Sequence, residues 1–200
     1  MAKTQLPTNY KKHTSKNPVR QLLLNNFNTQ LIRIIAPLNP KRILDAGCGE
    51  GFTLHLFEQH AIGKKLEGLD NSIEALRLAK MQFKKLQFTQ GSIYTLPYKD
   101  NTYNLVLATE VLEHLETPKK ALSELIRVSN RYILLSVPNE PLFMLSRLLT
   151  GSNIFQFGNH PEHINHWSEK TFKKFLTNDI VTIKKILLPF PWIMVLLEKK

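Results

Sequence analysis

Three glycines, Gly47, Gly49 and Gly51, follow an acid, Asp45, in the stretch ILDAGCGEGF that runs from Ile43 to Phe52. A short apolar run enters this stretch, and Phe52, Leu54, Leu56 and Phe57 leave it at helical spacing. The pattern predicts a buried strand, a tight turn and a helix opening. Glycines let the chain bend sharply and let a ligand lie against bare backbone. The helix N-terminus adds free amide donors and a positive dipole end, which suits an anion such as a carboxylate. The glycines fall as G-x-G-x-G, whereas a dinucleotide loop wants G-x-G-x-x-G, and Phe52 occupies its third glycine position. A phosphate loop ending in Gly-Lys-Ser/Thr is also absent. Roughly 20 residues further on, Asp70 ends the alternating stretch KLEGLD, where an acid can accept hydrogen bonds from both hydroxyls of a ribose. Together these residues point to a nucleotide-type ligand.

A second group follows a later apolar run. Thr109-Glu110-Val111-Leu112-Glu113-His114 offers two carboxylates and an imidazole. His160, His163, His166 and the distant His114, with Glu162, could supply N and O ligands to a metal. The H-x-x-H-x-x-H run lies in an irregular stretch with no cysteine partner, so a polar loop with no metal is the expectation, and His163 and His166 are candidate bases. Phe155, Phe157 and Trp167 either wall a pocket or pack that loop onto the sheet. Cys48, inside the glycine turn, has no evident base beside it and reads as a small turn residue rather than a nucleophile.

These motifs resemble the class I S-adenosylmethionine-dependent methyltransferases. Their first motif is an acid followed by G-x-G-x-G at the end of the first strand, and many small-molecule members carry an E-V-L-E-H run like Glu110 to His114. The resemblance implies S-adenosylmethionine as cofactor and assigns roles by position. Asp45 would contact the amino group of its methionine part, with Gly47, Cys48 and Gly49 passing close by. Asp70, with Asn71 beside it, would hold the ribose. Ser92 and Ile93 would read the adenine, and Thr109 and Glu110 would line the pocket. Glu113 and His114 would face the arriving methyl acceptor, with His163 joining them as a catalytic candidate. Two positions depart from the family pattern: Ser92 stands where an acid is usual, and Asn104, read as a strand-start residue, stands where Asp is frequent. The implied activity is in-line methyl transfer to a small-molecule or lipid-like acceptor. Alternatives are an RNA methyltransferase and a non-catalytic cofactor- or partner-binding protein of the same fold. Base-modifying amino methyltransferases of this fold often carry Asn/Asp-Pro-Pro-aromatic after the fourth strand, and Thr109 to Leu112 does not match it.

The elements that must position these residues alternate along the chain. Helical spacing predicts helices over Val19 to Ala36, Gly51 to His60, Ser72 to Phe83, Pro118 to Val128 and Glu169 to Leu176. In the third of these Ser72 caps, and Ile73, Leu76 and Ala79 face inward. Strands are expected at Arg42 to Asp45, Lys65 to Asp70, Leu86 to Gly91, Tyr103 to Ala108, Arg131 to Val137, Ile180 to Leu188 and Trp192 to Leu197. The rhythm argues an α/β, doubly wound, Rossmann-like sheet of seven strands with helices on both faces. It is mostly parallel, and the last two strands, joined by Pro189-Phe190-Pro191, close it antiparallel. Residues 1–18 read as a flexible basic segment and 19–200 as one domain, with the 138–167 insertion as a substrate cap.

Composition bounds the rest. The chain has 200 residues, 42% hydrophobic, and no apolar run of the roughly 20 residues that span a bilayer. One cysteine excludes an internal disulfide framework and points to a reducing, cytoplasmic compartment. The formal net charge of +11 is compatible with nucleic acid, an anionic membrane surface or an acidic substrate. No Asp or Glu precedes Asp45, and a second basic group comprises Lys173, Lys174, Lys184, Lys185, Lys199 and Lys200. The favoured partner is a small-molecule or lipid-like acceptor, with nucleic acid not favoured and peripheral contact with an anionic membrane left open.

Overall fold

A computed structural model describes residues 13–140, 142 and 163–200. The expectations for His160, Glu162, Phe155 and Phe157, and for most of the 138–167 cap, lie outside the described residues.

The first element wholly within the described residues is α1 (Pro18–Ile35), where Pro18 occupies the first turn and the Asn17 side chain accepts from the Arg20 N–H. It continues through β1 (Arg42–Ala46), α2 (Phe52–Gln59), β2 (Lys65–Asp70), α3 (Ile73–Gln82) and β3 (Gln87–Gln90). Then come β4 (Tyr103–Thr109), a 3-10 turn (Leu112–His114), α4 (Pro118–Val128), β5 (Ser129–Pro138) and α5 (Glu169–Leu176). The last two strands are β6 (Val181–Leu187) and β7 (Trp192–Lys199). One sheet holds all seven strands in the order β3-β2-β1-β4-β5-β7-β6. Pairing is parallel from β3 through β5, and β7 runs antiparallel to both β5 and β6. The doubly wound, Rossmann-like architecture expected from the alternation is therefore present.

Central strands are apolar on both faces because helices cover both. Leu44, Val106, Ile133, Leu135 and Val195 pack on one side with Leu125 of α4 and Phe172 of α5. Ile43, Leu105, Leu107, Leu134 and Met194 pack on the other with Leu31 of α1, Phe57 of α2 and Leu76 of α3. Successive strand residues go to opposite cores, as the period of two requires.

Two expectations are corrected. Ile73 is 61% exposed, not inward. The buried stripe of α3 is Ala75, Leu76 and Ala79, and at about 100° per residue Ile73 falls roughly 110° from its centre. Asn104 is more than a strand start. Its Oδ1 accepts from the N–H groups of Lys41 and Arg42, tying the entry of β4 to the entry of β1.

The parallel register lines up the strand tips. Asp45 pairs with Gly68 on one side and Leu107 on the other, Asp70 with Gln90, and Thr109 with Ser136. In a doubly wound sheet this carboxyl edge is where ligands bind.

Candidate functional site

The glycine turn rises directly from β1. Gly47 has φ 89° and Gly49 φ 51°, left-handed values that glycine adopts without penalty. The turn is anchored to β2, because the N–H groups of Gly47 and Cys48 both donate to the Leu69 carbonyl, at 2.7 and 3.0 Å. A Cβ on Gly47 would meet Val111 Cγ2 at 2.5 Å, so the turn also packs against the start of the E-V-L-E-H run. Close approach thus requires glycine here for a packing reason as well as a conformational one.

Asp70 organises the neighbouring tip. Its Oδ2 accepts from the Gly49 N–H at 2.7 Å and its Oδ1 from the Ser72 N–H at 2.8 Å. Ser72 in turn caps α3 by accepting from the Ala75 N–H. Each carboxylate oxygen offers two lone-pair directions, so Asp70 retains acceptor capacity after these two bonds. It is half-buried, and Asn71 beside it is exposed.

Asp45 lies beneath. It is 1% exposed, and its Oδ1 has no hydrogen-bond partner among the described residues. Burial, with the negative charge of Asp70 adding to it, pushes its carboxyl up to about 7. A buried acid with a vacant acceptor, next to a second acid, is a cradle for a cationic ligand that donates hydrogen bonds. Cys48 is buried, and burial followed by the charges of Asp45 and Asp70 drives its thiol far above the ordinary range. That is the environment of an inert turn residue, not a nucleophile.

Past β3, the Ser92 hydroxyl accepts from the Tyr94 N–H at 3.2 Å in a local turn, and Ile93 is buried. Past β4, Glu110 turns the chain with φ 57°, its N–H donating to the Ser136 carbonyl at 3.0 Å. A non-glycine residue in that region is uncommon and clusters at functional sites. Thr109 ends the strand beside Ser136.

The 3-10 turn then delivers Glu113 and His114, and a distant segment meets them. The Glu113 carbonyl accepts from the N–H groups of Ile164 and Asn165, at 2.8 and 3.0 Å. The Asn165 side chain donates to the carbonyls of Leu112 and Leu115, at 3.1 and 2.7 Å. These four bonds fasten residues 163–165 to the turn. His163 consequently lies across His114, ring centroids 5.0 Å apart, and the ligand atoms of Glu113, His114 and His163 all fall within 4.8 Å of one another. Glu113 is 1% exposed. Glu140, which the sequence reading did not single out, brings Oε1 to 3.9 Å from His163 Nδ1.

His166 does not join them and is exposed. Trp167 packs against Phe172 and Phe175 of α5, with ring centroids 5.4 and 4.8 Å away. For Trp167, packing is therefore the outcome. His13, ahead of α1, stacks on Phe52 at 4.3 Å, so the N-terminal segment reaches the helix that opens from the glycine turn.

Comparison with known proteins agrees with this geometry. A family model described as a methyltransferase domain matches residues 44–131. Norajmaline N-methyltransferase of Rauvolfia serpentina is 37% identical over 114 residues, 54% of this chain and 36% of the relative. The chain spans about a third of the length of the first curated relatives it matches. Among solved structures, the PH0226 protein of Pyrococcus horikoshii superposes with a TM-score of 0.74 at 16% identity, covering 98% of this chain and 100% of that one. Magnesium protoporphyrin IX methyltransferase of Synechocystis, solved with bound S-adenosylmethionine, gives a TM-score of 0.68 at 17% identity, covering 96% of this chain and 92% of that one. The acid and glycine turn and the second acid on the neighbouring strand tip lie within the matched region, so residues 44–131 are similar to a methyltransferase domain, and the seven-stranded sheet has the fold of those solved structures.

Proposed function

We propose that this chain transfers a methyl group from S-adenosylmethionine to a small-molecule or lipid-like acceptor at the carboxyl edge of the sheet. The observation that carries the reading is the buried Asp45 carboxyl, with Oδ1 open, beside Asp70 at the glycine turn. Asp45 would accept from the ammonium of the methionine part, and its ionisation would be favoured by that positive charge. Asp70 would take the ribose hydroxyls with the lone pairs left over from Gly49 and Ser72. The backbone at Gly47 and Gly49 would pass along the methionine part, and Ser92 and Ile93 would border the adenine. Thr109 and Glu110 would close the pocket wall.

The cofactor supplies a methyl already activated on a sulfonium. Bound there, it would give that methyl to the acceptor's lone pair and keep the electron pair of the broken S–C bond on sulfur. The protein's part is to align donor and acceptor and to exclude water. Glu113, His114 and His163 border the place where an acceptor arrives, and a histidine there can take the proton of a hydroxyl or ammonium acceptor. The norajmaline N-methyltransferase relative and the porphyrin methyltransferase neighbour bear names of small-molecule methyltransferases, which supports an acceptor of that class.

The +11 charge leaves an RNA acceptor as the second reading, but much of the C-terminal basic group is engaged. Lys173 pairs with Glu169, Lys184 with Glu198, and Lys199 donates to Asn101 and to the carbonyls of Ile126 and Ser129. No helix among the described residues is long and apolar enough to cross a membrane.

Titration calorimetry with S-adenosylmethionine and with its demethylated product tests the proposal. Micromolar binding of both, lost in Asp70→Ala, is expected. Absence of binding in the folded wild-type chain would overturn it.

A further inference from the structure

The corner formed by Glu113, His114 and His163 has a chemistry that methyl transfer does not demand. Methyl transfer needs at most one base, yet here a carboxylate and two imidazoles converge. Their ligand atoms lie within 4.8 Å of one another, and donors held at about 2.0–2.2 Å from one ion stand up to roughly 4 Å apart, so a small rotamer adjustment seats all three on a single centre. Glu113 is 1% exposed, so its carboxylate is held away from bulk water. Glu140 sets a second carboxylate 3.9 Å from His163 Nδ1, its side chain 12% exposed and that of His163 4% exposed. The cluster is thus largely shielded from water, and a donor set so placed interacts more strongly with a cation than it would in bulk solvent.

The corner is also preorganised. His163 comes from a part of the chain some fifty residues from the turn, and nothing in helical or strand periodicity would bring it there. Four hydrogen bonds from Ile164 and Asn165 to the carbonyls of Leu112, Glu113 and Leu115 fix it in place. Supporting bonds of this kind hold ligands within the tolerance an ion requires.

We propose that Glu113, His114 and His163 form a site for one divalent transition-metal ion. Two imidazoles and one carboxylate select ions of the zinc and manganese kind over magnesium or calcium, which prefer all-oxygen shells. Three protein ligands leave a coordination position open. Given the methyl-transfer reading above, on which this part rests, the open position takes an acceptor oxygen. The ion lowers the pKa of a bound hydroxyl and holds it as the nucleophile, and the proton leaves to solvent. The acceptor class this implies is a hydroxylated molecule, methylated on oxygen.

The test is calorimetric titration of Zn²⁺ alone into the full chain freed of metal by chelation, with Co²⁺ absorption as a second readout. One equivalent should bind with a dissociation constant below about 1 μM, and the Co²⁺ form should show visible bands of a mixed nitrogen–oxygen shell. His163→Ala and Glu113→Gln should each weaken binding by 100-fold or more. His166→Ala, on the same segment but exposed, should leave it unchanged. Binding of S-adenosylmethionine, measured on the same variants, should hold within about twofold and shows that they fold. A wild-type chain that takes up Zn²⁺ no tighter than about 100 μM overturns the site, as does a His166→Ala variant that loses as much as His163→Ala. Cofactor binding without zinc binding sinks the ion and spares the methyltransferase reading, and the converse sinks that reading alone.

Discussion

The glycine turn and the Glu113–His163 corner stand on the same edge of one sheet, but they are assembled differently. The turn is built by adjacent parallel strands: β1 ends in it, β2 anchors it through Leu69 and Asp70, and the register Asp45↔Gly68 fixes their relative height. The bonds that anchor it to the sheet come from the neighbouring strand β2, and the Gly51 N–H closes the turn on the Cys48 carbonyl. The corner is instead joined by a loop segment returning from beyond β5, and its geometry depends on Asn165 and on two backbone donors. One half inherits the rigidity of the sheet. The other is fastened by loop hydrogen bonds, among them the four from Ile164 and Asn165 to carbonyls of residues 112–115. The two meet where Val111 packs on Gly47. A ligand-binding half on the scaffold and a reaction half on loops is an arrangement that lets one fold serve many acceptors.

The sharpest way to break this contrast is Asp70→Ala. It removes the proposed ribose contact and also the acceptor for the N–H groups of Gly49 and Ser72. We expect at least about a 100-fold loss of cofactor affinity and a stability loss of about 2–4 kcal/mol, since two half-buried donors lose their partner. Calorimetry and denaturant unfolding check the two parts. A variant that keeps wild-type cofactor affinity would remove Asp70 from the binding half.

The next largest effect is a pH dependence confined to the same half. The Asp45 carboxyl ionises near 3.8 when solvated and about 7 in the fold. Between these values the folded chain holds a proton that the unfolded chain has released, so stability falls as pH rises through that window, by about 4 kcal/mol in all. Cofactor binding runs the opposite way, because a cationic ligand needs the ionised acid. Apparent affinity should be roughly twentyfold weaker at pH 5.5 than at pH 7.5. Asp45→Asn should flatten both curves, and a profile that keeps its slope in the variant would assign it to another group.

Asn165→Ala addresses the other half. Losing two side-chain donations to Leu112 and Leu115 should cost about 1–2 kcal/mol of stability. By loosening His163 it should lower kcat by roughly tenfold, since small misplacements at a reacting centre carry large rate costs. Cofactor affinity should stay within about twofold. If affinity fell in parallel with kcat, the two halves would be one cooperative unit.

This division also explains what could be read from the sequence. The glycine turn, Asp45 and Asp70 were legible because they end periodic apolar runs only 25 residues apart, and sheet register does the rest. Helices α4 and α5 were legible to the residue: Pro118 marks the start of α4, and the structure adds a Ser168–Thr171 capping box at the start of α5 that the sequence reading did not use. The corner was half legible. Glu113, His114 and His163 were each named as candidates, and His114 was grouped with His160, His163 and His166 as metal donors, whereas the fold brings His163 to His114 and Glu113 and leaves His166 exposed. The pairing that decides this runs through backbone carbonyls at 112–115, and carbonyls carry no sequence signature. Glu140 was missed for the same reason. Asn104 was undervalued because its partners are main-chain N–H groups of another strand.

The smallest expected effect falls at Ser92, where the binding half departs from the pattern of the family it resembles. Ser92 stands where an acid is usual, and its Oγ already accepts from the Tyr94 N–H. Aspartate forms the same local turn, so Ser92→Asp can keep that bond while its second oxygen stays free. A charged acceptor facing an amine is worth about 1 kcal/mol more than a neutral one when partly exposed, which corresponds to roughly fivefold in affinity. Competition between S-adenosylmethionine and an analogue lacking the exocyclic amine measures it. The gain should appear for the amine-bearing ligand alone. An equal gain for both would mean that the new charge acts through the general field of the crevice, and that the adenine is read by the backbone at Ile93.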